Sequence, residues 1–232
     1  MAMIADNLQL VHRRLARACA AASRPVESVT LLSVSKTFGT AAVREAFVAG
    51  ERHFGESYVQ EALDKMDALA DLRRQLEWHL IGPLQSNKTR VVAERFDWVH
   101  SVDRLKLAQR LNDQRPVGLA PLQVCVQVNI SGEASKSGVA PAEVATLAHA
   151  LAELPRLRLR GLMAIPEPAA DFESQRLPHR ALHALLHTLR DEGLALDTLS
   201  MGMSSDLEAA VAEGATLVRV GTAIFGERPA AA

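Results

Sequence analysis

Eight short β-rich runs, separated by helical stretches, constrain this chain more than any other feature. The runs cover 29–36, 53–57, 77–82, 97–102, 122–130, 157–165, 199–204 and 217–225. Helical stretches fall at 41–49, 58–73, 85–94, 104–112, 141–154, 179–191 and 206–213. Strands alternating with amphipathic helices build βαβ units and therefore a parallel sheet. Eight strands within 232 residues point to a closed TIM-like (β/α)8 barrel more than to an open sheet. Barrels of this kind run to roughly 200–250 residues as one unit, so residues 1–232 are expected to form a single domain.

The ends of the chain refine this expectation. After the eighth run only 226–232 remains, too short for an eighth helix. Ahead of the first run, 3–22 carries Ile4, Leu8, Val11, Leu15 and Ala18 at helical spacing. This first helix, within 1–23, is expected to fill the gap in the outer ring beside strands one and eight.

Composition excludes several classes. A net charge of −1 offers no basic face for nucleic acid. No apolar run is long enough to span a bilayer, and the N-terminus has no cationic stretch followed by an apolar core. Cys19 and Cys125 fall in a helix and mid-strand, which reads as small core residues in a reducing cytoplasm rather than a disulfide frame.

The first strand, V-T-L-L-S-V-S-K-T-F, alternates its side chains between faces. Leu32, Val34 and Lys36 share one of them. Lys36 thus rides on an apolar row at the carboxyl end of the strand, which in barrels is the ligand face. Partial desolvation there lowers a lysine's pKa and frees its amine as a nucleophile towards aldehydes. The plain alternative is a lysine reaching into solvent.

The eighth strand, L-V-R-V-G-T-A-I-F-G, places Arg219 in an apolar run and on the same face as Gly221. A buried unpaired charge costs several kcal/mol, so Arg219 must face a carboxylate or a ligand. Gly221 and Thr222 offer backbone N–H groups, a hydroxyl and room for close approach by phosphate. The seventh, L-S-M-G-M-S-S-D-L-E, brings Met203, Ser204 and Ser205 to the start of a helix, and Ser205 with Glu208 has capping-box spacing. Helix N-termini attract anions, and the loops after strands seven and eight are the usual barrel phosphate site. Ser57 follows the second strand, His79 lies within the third and Met163 ends the sixth. For His79 and Met203, ordinary core roles stand as alternatives. The segment 167–179, with mixed charge and prolines, reads as a mobile loop over the ligand face.

S-V-S-K-T-F, H-F-G-E-S-Y-V-Q-E, W-H-L-I-G-P-L-Q-S-N-K, S-G-E-A-S-K-S-G-V, G-L-M-A-I, S-M-G-M-S-S-D-L-E-A-A-V and V-R-V-G-T-A-I-F-G-E-R occur in this order. Together they resemble the pyridoxal phosphate homeostasis family, also called the YggS or PROSC family. The resemblance implies the barrel of alanine-racemase-type (fold type III) proteins that bind pyridoxal 5′-phosphate (PLP). It implies that Lys36 forms the internal aldimine, that Arg219 hydrogen-bonds the pyridine nitrogen, and that Ser204, Gly221 and Thr222 cradle the phosphate. Met203, His79 and Ser57 complete the expected cofactor-binding set. Ser57 departs from the family, which usually has Asn there.

An always-charged arginine at the pyridine nitrogen disfavours its protonation and makes the ring a weaker electron sink. A two-base racemase also needs a second acid/base group. Tyr58 is the only tyrosine, and the chain ends soon after strand eight, with no room for a completing domain. The expected function is therefore a non-catalytic, monomeric, cytoplasmic PLP carrier or buffer that serves vitamin B6 homeostasis and passes PLP to apo-enzymes. No catalytic residue and no metal is assigned. A weak racemase-like PLP enzyme and a cofactor-free Schiff-base aldolase using Lys36 are the alternatives.

Overall fold

The structure, a computed structural model, describes residues 2–132 and 137–227. Among them, eight parallel strands close in sequence order into a barrel: β1 (Thr30–Val34), β2 (His53–Glu56), β3 (Glu77–Leu80), β4 (Trp98–Val102), β5 (Leu122–Gln127), β6 (Leu157–Met163), β7 (Thr198–Ser200) and β8 (Leu217–Val220). The expected alternation and closure are both present. Every strand lies within one residue of an expected run, but six of the eight runs overshot at the carboxyl end by two residues or more. Apolar residues such as Val128 and Ala164 remain buried past the last ladder position, so composition does not mark where pairing stops.

The outer ring comprises α1 (Ala2–Ala21), α2 (Thr40–Val48), α3 (Val59–Ala68), α4 (Thr89–Arg95), α5 (Leu105–Gln114), α6 (Val144–Ala152), α7 (Phe172–Asp191), α8 (Leu207–Ala212) and the one-turn α9 (Thr222–Phe225). As expected, α1 fills the gap beside β1 and β8, packing on α2, α8 and α9. Its Leu8, Val11, Leu15 and Ala18 are buried. Each Leu or Val so buried contributes about 1.5–3 kcal/mol.

Two expectations are corrected. Residues 222–225, read as the end of a strand, form α9. There Ile224 and Phe225 are buried and Asn7 donates to the Ile224 carbonyl at 2.9 Å, so tertiary packing overrides β propensity. Residues 172–179, read as part of a mobile loop, are the first turns of α7. Asp171 caps that helix by accepting from the Ser174 N–H at 2.9 Å, and Pro178 is accommodated within it.

Large apolar side chains fill the layer between strands and helices, among them Phe54, Trp78, Leu80 and Phe96. The barrel axis is different. His100 on β4 bonds Ser200 on β7, which are not neighbouring strands, so the contact crosses the interior. A polar layer therefore occupies the middle of the barrel, where branched apolar residues usually dominate.

Candidate functional site

The carboxyl end of the barrel gathers most of the expected residues. Lys36 lies two residues beyond β1, half-buried, in a turn closed by the Phe38 N–H on the Ser35 carbonyl at 3.1 Å. Val34 is buried beneath it on the same face. Thr37 adopts φ +70°, an uncommon conformation for a residue with a Cβ, and so needs external support.

That support is a buried ion cluster behind the turn, which the sequence reading missed. The Lys65 ammonium on α3 donates to the Ser35 carbonyl at 2.7 Å, to Glu56 Oε1 at 2.7 Å and to Glu61 Oε1 at 2.6 Å. Glu61 Oε1 also accepts from the Thr37 N–H at 2.6 Å, and Ser35 Oγ donates to Glu56 Oε1 at 2.6 Å. The residues on both sides of Lys36 are thus pinned by one lysine and two carboxylates. Burial pushes the Glu56 carboxyl above its ordinary value, against the opposing pull of Lys65 and Ser35. The i,i+4 spacing of Glu61 and Lys65 was the available signal.

Arg219 is 4% exposed. Its Nη1 donates to the Ser200 carbonyl at 2.6 Å and to Ser200 Oγ at 2.8 Å, and its Nη2 donates to the Ala164 carbonyl at 2.8 Å. Among the described residues no carboxylate lies within ion-pair distance of it, so the ion-pair alternative does not hold. Three bonds leave two of a guanidinium's five N–H donors for a ligand. Burial lowers its pKa to about 10, with Asp206 acting in the opposite direction, so it stays charged at neutral pH.

Behind Arg219 runs a chain of contacts. Ser200 Oγ meets His100 Nδ1 at 2.8 Å, and His100 Nε2 meets His79 Nδ1 at 3.0 Å. Burial holds His79 well below its usual pKa and brings His100 to about 3, so both rings are neutral. His79, expected at the cofactor, is not brought to the Lys36 mouth. Its ring stacks on Trp98 and lines a cavity with Thr30, His53 and Glu77 at the amino-terminal ends of the strands.

Gly221 and Thr222 open α9, and Ser204 lies in the turn leading to α8. The first turns of both helices carry N–H groups without helical acceptors, directed away from the helix body. The link between them is direct, since the Arg219 N–H bonds the Gly202 carbonyl at 2.9 Å. The Met203 N–H bonds Asp206 Oδ1 at 2.7 Å, and Asp206 Oδ2 meets the buried His179 Nε2 at 2.9 Å. The capping box expected from Ser205 and Glu208 is absent. Glu208 instead takes a bidentate pair from Arg14 on α1, whose Nη1 also donates to the Ser204 carbonyl at 2.7 Å. Asp206 is the N-cap residue.

Gly202 has φ +91°, and a Cβ there would sit 2.5 Å from Ala210 Cβ on α8. Gly202→Ala is expected to lower stability by about 1–3 kcal/mol from overpacking alone. Urea denaturation checks this; an unchanged midpoint would show that α8 can move aside freely.

Ser57 follows β2, half-buried. Its backbone presses on Gly82, where a Cβ would lie 2.3 Å from the Ser57 carbonyl oxygen. Lys88 lies in the turn Ser86–Lys88 ahead of α4, and Lys136 lies outside the described residues. Lys36, Ser57, Met203, Ser204, Gly221 and Thr222 thus share the carboxyl ends of β1, β2, β7 and β8, with Arg219 one layer below. The arrangement offers an amine for a carbonyl, a fixed cation for an acceptor atom and two helix starts for an anion.

Comparison with known proteins bears on this arrangement. A family model described as alanine racemase, N-terminal domain, matches residues 6–229. A Pseudomonas aeruginosa protein named pyridoxal phosphate homeostasis protein is 61% identical over 228 residues, covering 98% of this chain and 97% of that protein. An Escherichia coli K12 protein of the same name is 54% identical, covering 97% of each. The solved structure of PipY from Synechococcus elongatus PCC7942 with PLP bound has a TM-score of 0.84 at 39% identity, over 96% of this chain and 100% of that one. Both named relatives are described as homeostasis proteins rather than as enzymes.

Proposed function

The chain belongs to the alanine racemase N-terminal domain family and, within it, to the pyridoxal phosphate homeostasis proteins; from that premise we propose that it is a PLP carrier, holding the cofactor on Lys36 without turnover. The observation that carries this reading is the buried Arg219, bonded only to neutral partners among the described residues and still holding donors in reserve. Its geometry suits a neutral ring nitrogen. When bound, PLP supplies an aldehyde that condenses reversibly with a primary amine.

Each residue then has a task. The turn around Lys36 presents the amine at the mouth. Arg219 would donate to the ring nitrogen and resist its protonation, which would weaken the electron sink that carbanion chemistry needs. Ser204, Gly221 and Thr222 would hold the phosphate through charge-assisted bonds worth ~1.5–3 kcal/mol each. Ser57 and Met203, at the same mouth, would lie beside the bound cofactor. The same reading takes residues 1–232 as one cofactor-binding unit, monomeric and cytoplasmic, which hands PLP to apo-enzymes. Among the described residues no helix is long and apolar enough to cross a membrane.

Tyr58, which precedes α3, is 57% exposed rather than packed into the site, which supports a reading without a second base. Incubation of the PLP-loaded protein with single amino acids in deuterated solvent tests the carrier reading. No α-proton exchange above that of free PLP is expected; exchange at enzymatic rates would overturn it. Absorbance titration of the apo-protein with PLP tests binding itself: a visible band should appear, and its absence would favour the cofactor-free aldolase.

Arg219→Ala is expected to weaken PLP about 10–100-fold, the equivalent of one charged hydrogen bond, and to shift the visible band. A titration followed by absorbance checks both. An unchanged spectrum and affinity would make Arg219 purely structural.

A further inference from the structure

The amino-terminal mouth of the barrel, opposite Lys36, holds a cluster that the carrier function does not use. His53 on β2 and Glu77 and His79 on β3 each turn one ligand-type atom into a cavity of about 260 Å³, and these atoms all lie within 4.8 Å of one another. We propose that this cluster is a binding site for a divalent metal of the zinc class, held by His53 Nδ1, a Glu77 carboxylate oxygen and His79 Nε2.

Unmet bonding carries the argument. His79 is 1% exposed and its Nε2 has no hydrogen-bond partner; the Glu77 Oε1 carboxylate oxygen is 3.7 Å away. That is too long for a hydrogen bond. His53 Nδ1 is likewise buried and makes no aligned hydrogen bond; it stands at ion-pair distance, 3.3 Å, from Glu77 Oε2. Buried polar atoms without partners are rare and each costs about 1–3 kcal/mol. A single cation at the centre of the cluster satisfies both nitrogens and the carboxylate together.

The surroundings match what metal sites require. A ligating histidine usually engages its other ring nitrogen, which fixes the ring, and a ligating carboxylate is itself hydrogen-bonded. His79 Nδ1 meets His100 Nε2, and the Trp98 indole N–H donates to Glu77 Oε1. Arg160, which also lines the cavity, is neutralised by Asp197 at 2.8 Å, so Glu77 leaves the pocket with a net negative charge. Two imidazoles and one carboxylate form a zinc-type set with one coordination position open to the cavity. Hard cations prefer an all-oxygen shell, which this pocket lacks. The ligands escaped notice in the sequence because residues 53, 77 and 79 match no local metal-binding spacing. The barrel alone brings them together.

Zinc requires the Nε2 lone pair, so the ring proton of His79 moves to Nδ1. His79 then donates to His100 Nε2, and His100 donates from Nδ1 to Ser200 Oγ. No proton leaves the protein.

The test uses tag-free, PLP-loaded protein, cleared with chelator and titrated with zinc by calorimetry. One site per chain is expected. Losing even an outer partner of a metal ligand costs about 10–100-fold in affinity, so His53→Gln, which removes a direct ligand, should cost at least about 100-fold. The one close contact of His53 Nδ1 is the partly exposed Glu77 carboxylate at 3.3 Å, and Gln can still donate to it, so this variant should keep its fold and its PLP band. The rival locus is the exposed pair His183 and His187 on α7, with Nε2 atoms 2.8 Å apart. His187→Ala should leave the tight site intact. Long-range nitrogen NMR should show zinc moving the His53 Nδ1 and His79 Nε2 resonances in the unaltered protein. Failure of the protein to take up zinc, wild-type affinity in His53→Gln, or loss in His187→Ala would each overturn the proposal, whatever the fate of the PLP site.

Discussion

Lys36→Ala abolishes the visible absorbance of bound PLP and leaves the barrel folded. The amine is the one group in the proposed site that can bond the aldehyde covalently, and it stands outside the β1 ladder. The turn that carries it is held by main-chain groups: the Phe38 N–H on the Ser35 carbonyl, Lys65 on the same carbonyl, and Glu61 on the Thr37 N–H. None of these needs the Lys36 side chain. The turn and the barrel should therefore survive the substitution, with a melt that stays cooperative. Phosphate and ring contacts remain, so weak non-covalent PLP binding should persist. Absorbance titration with calorimetric melting separates the two effects. A normal visible band in this variant would mean that another lysine carries the cofactor, with Lys88 next in line.

Lys65→Met should have the largest effect on stability. It strands Glu56 in the interior, where removing one partner of a buried ion pair costs about 3–5 kcal/mol. For a chain of this size that corresponds to a melting temperature lower by about 6–20 °C. The pH dependence has a definite sign. Glu56 is already raised by burial in the folded protein, and losing Lys65 raises it further. Above the unfolded pKa, the folded variant then holds a proton that the unfolded chain has released. Its stability therefore falls as pH rises through that window and recovers as pH falls back. Urea denaturation at mildly acidic and mildly alkaline pH reads this directly; a deficit that grows on acidification would rule out Glu56 as the cause. PLP affinity should fall too, since Ser35 and Thr37 lose their common anchor.

Fold and site were legible to different depths. The barrel was legible because seven of the eight β-rich runs are followed by a helical one, and α1 because its apolar stripe has no other face to cover. Alternation put Lys36 in line with Val34 and Gly221 in line with Arg219, although β1 ends at Val34 and β8 at Val220, before either Lys36 or Gly221 is reached. It assigned a side and not an end, which is why His79 was placed with the cofactor when its free nitrogen opens onto the far mouth. Glu208 looked like a capping residue because its true partner, Arg14, lies 194 residues away in sequence. The Lys65 cluster joins the turn after β1 to β2 and α3, and no local pattern records that meeting. Pro178 and the charges around it signalled a loop, yet the Asp171 cap starts α7 before that proline is reached.

The file of groups along the barrel axis has a direction. An arginine can only donate. The contacts between its members are all met when Ser200 donates its own hydrogen to His100 Nδ1 and His100 donates from Nε2 to His79 Nδ1, which leaves only the His79 Nε2–H without an acceptor. With both rings neutral, nothing in this file titrates near physiological pH, so the colour of the bound vitamin should hold constant there. Whatever captures the last nitrogen must turn the whole row of protons around. An event at one rim of the barrel would then reach as far as the Ser200 hydroxyl that Arg219 holds beneath the other, without any backbone having moved.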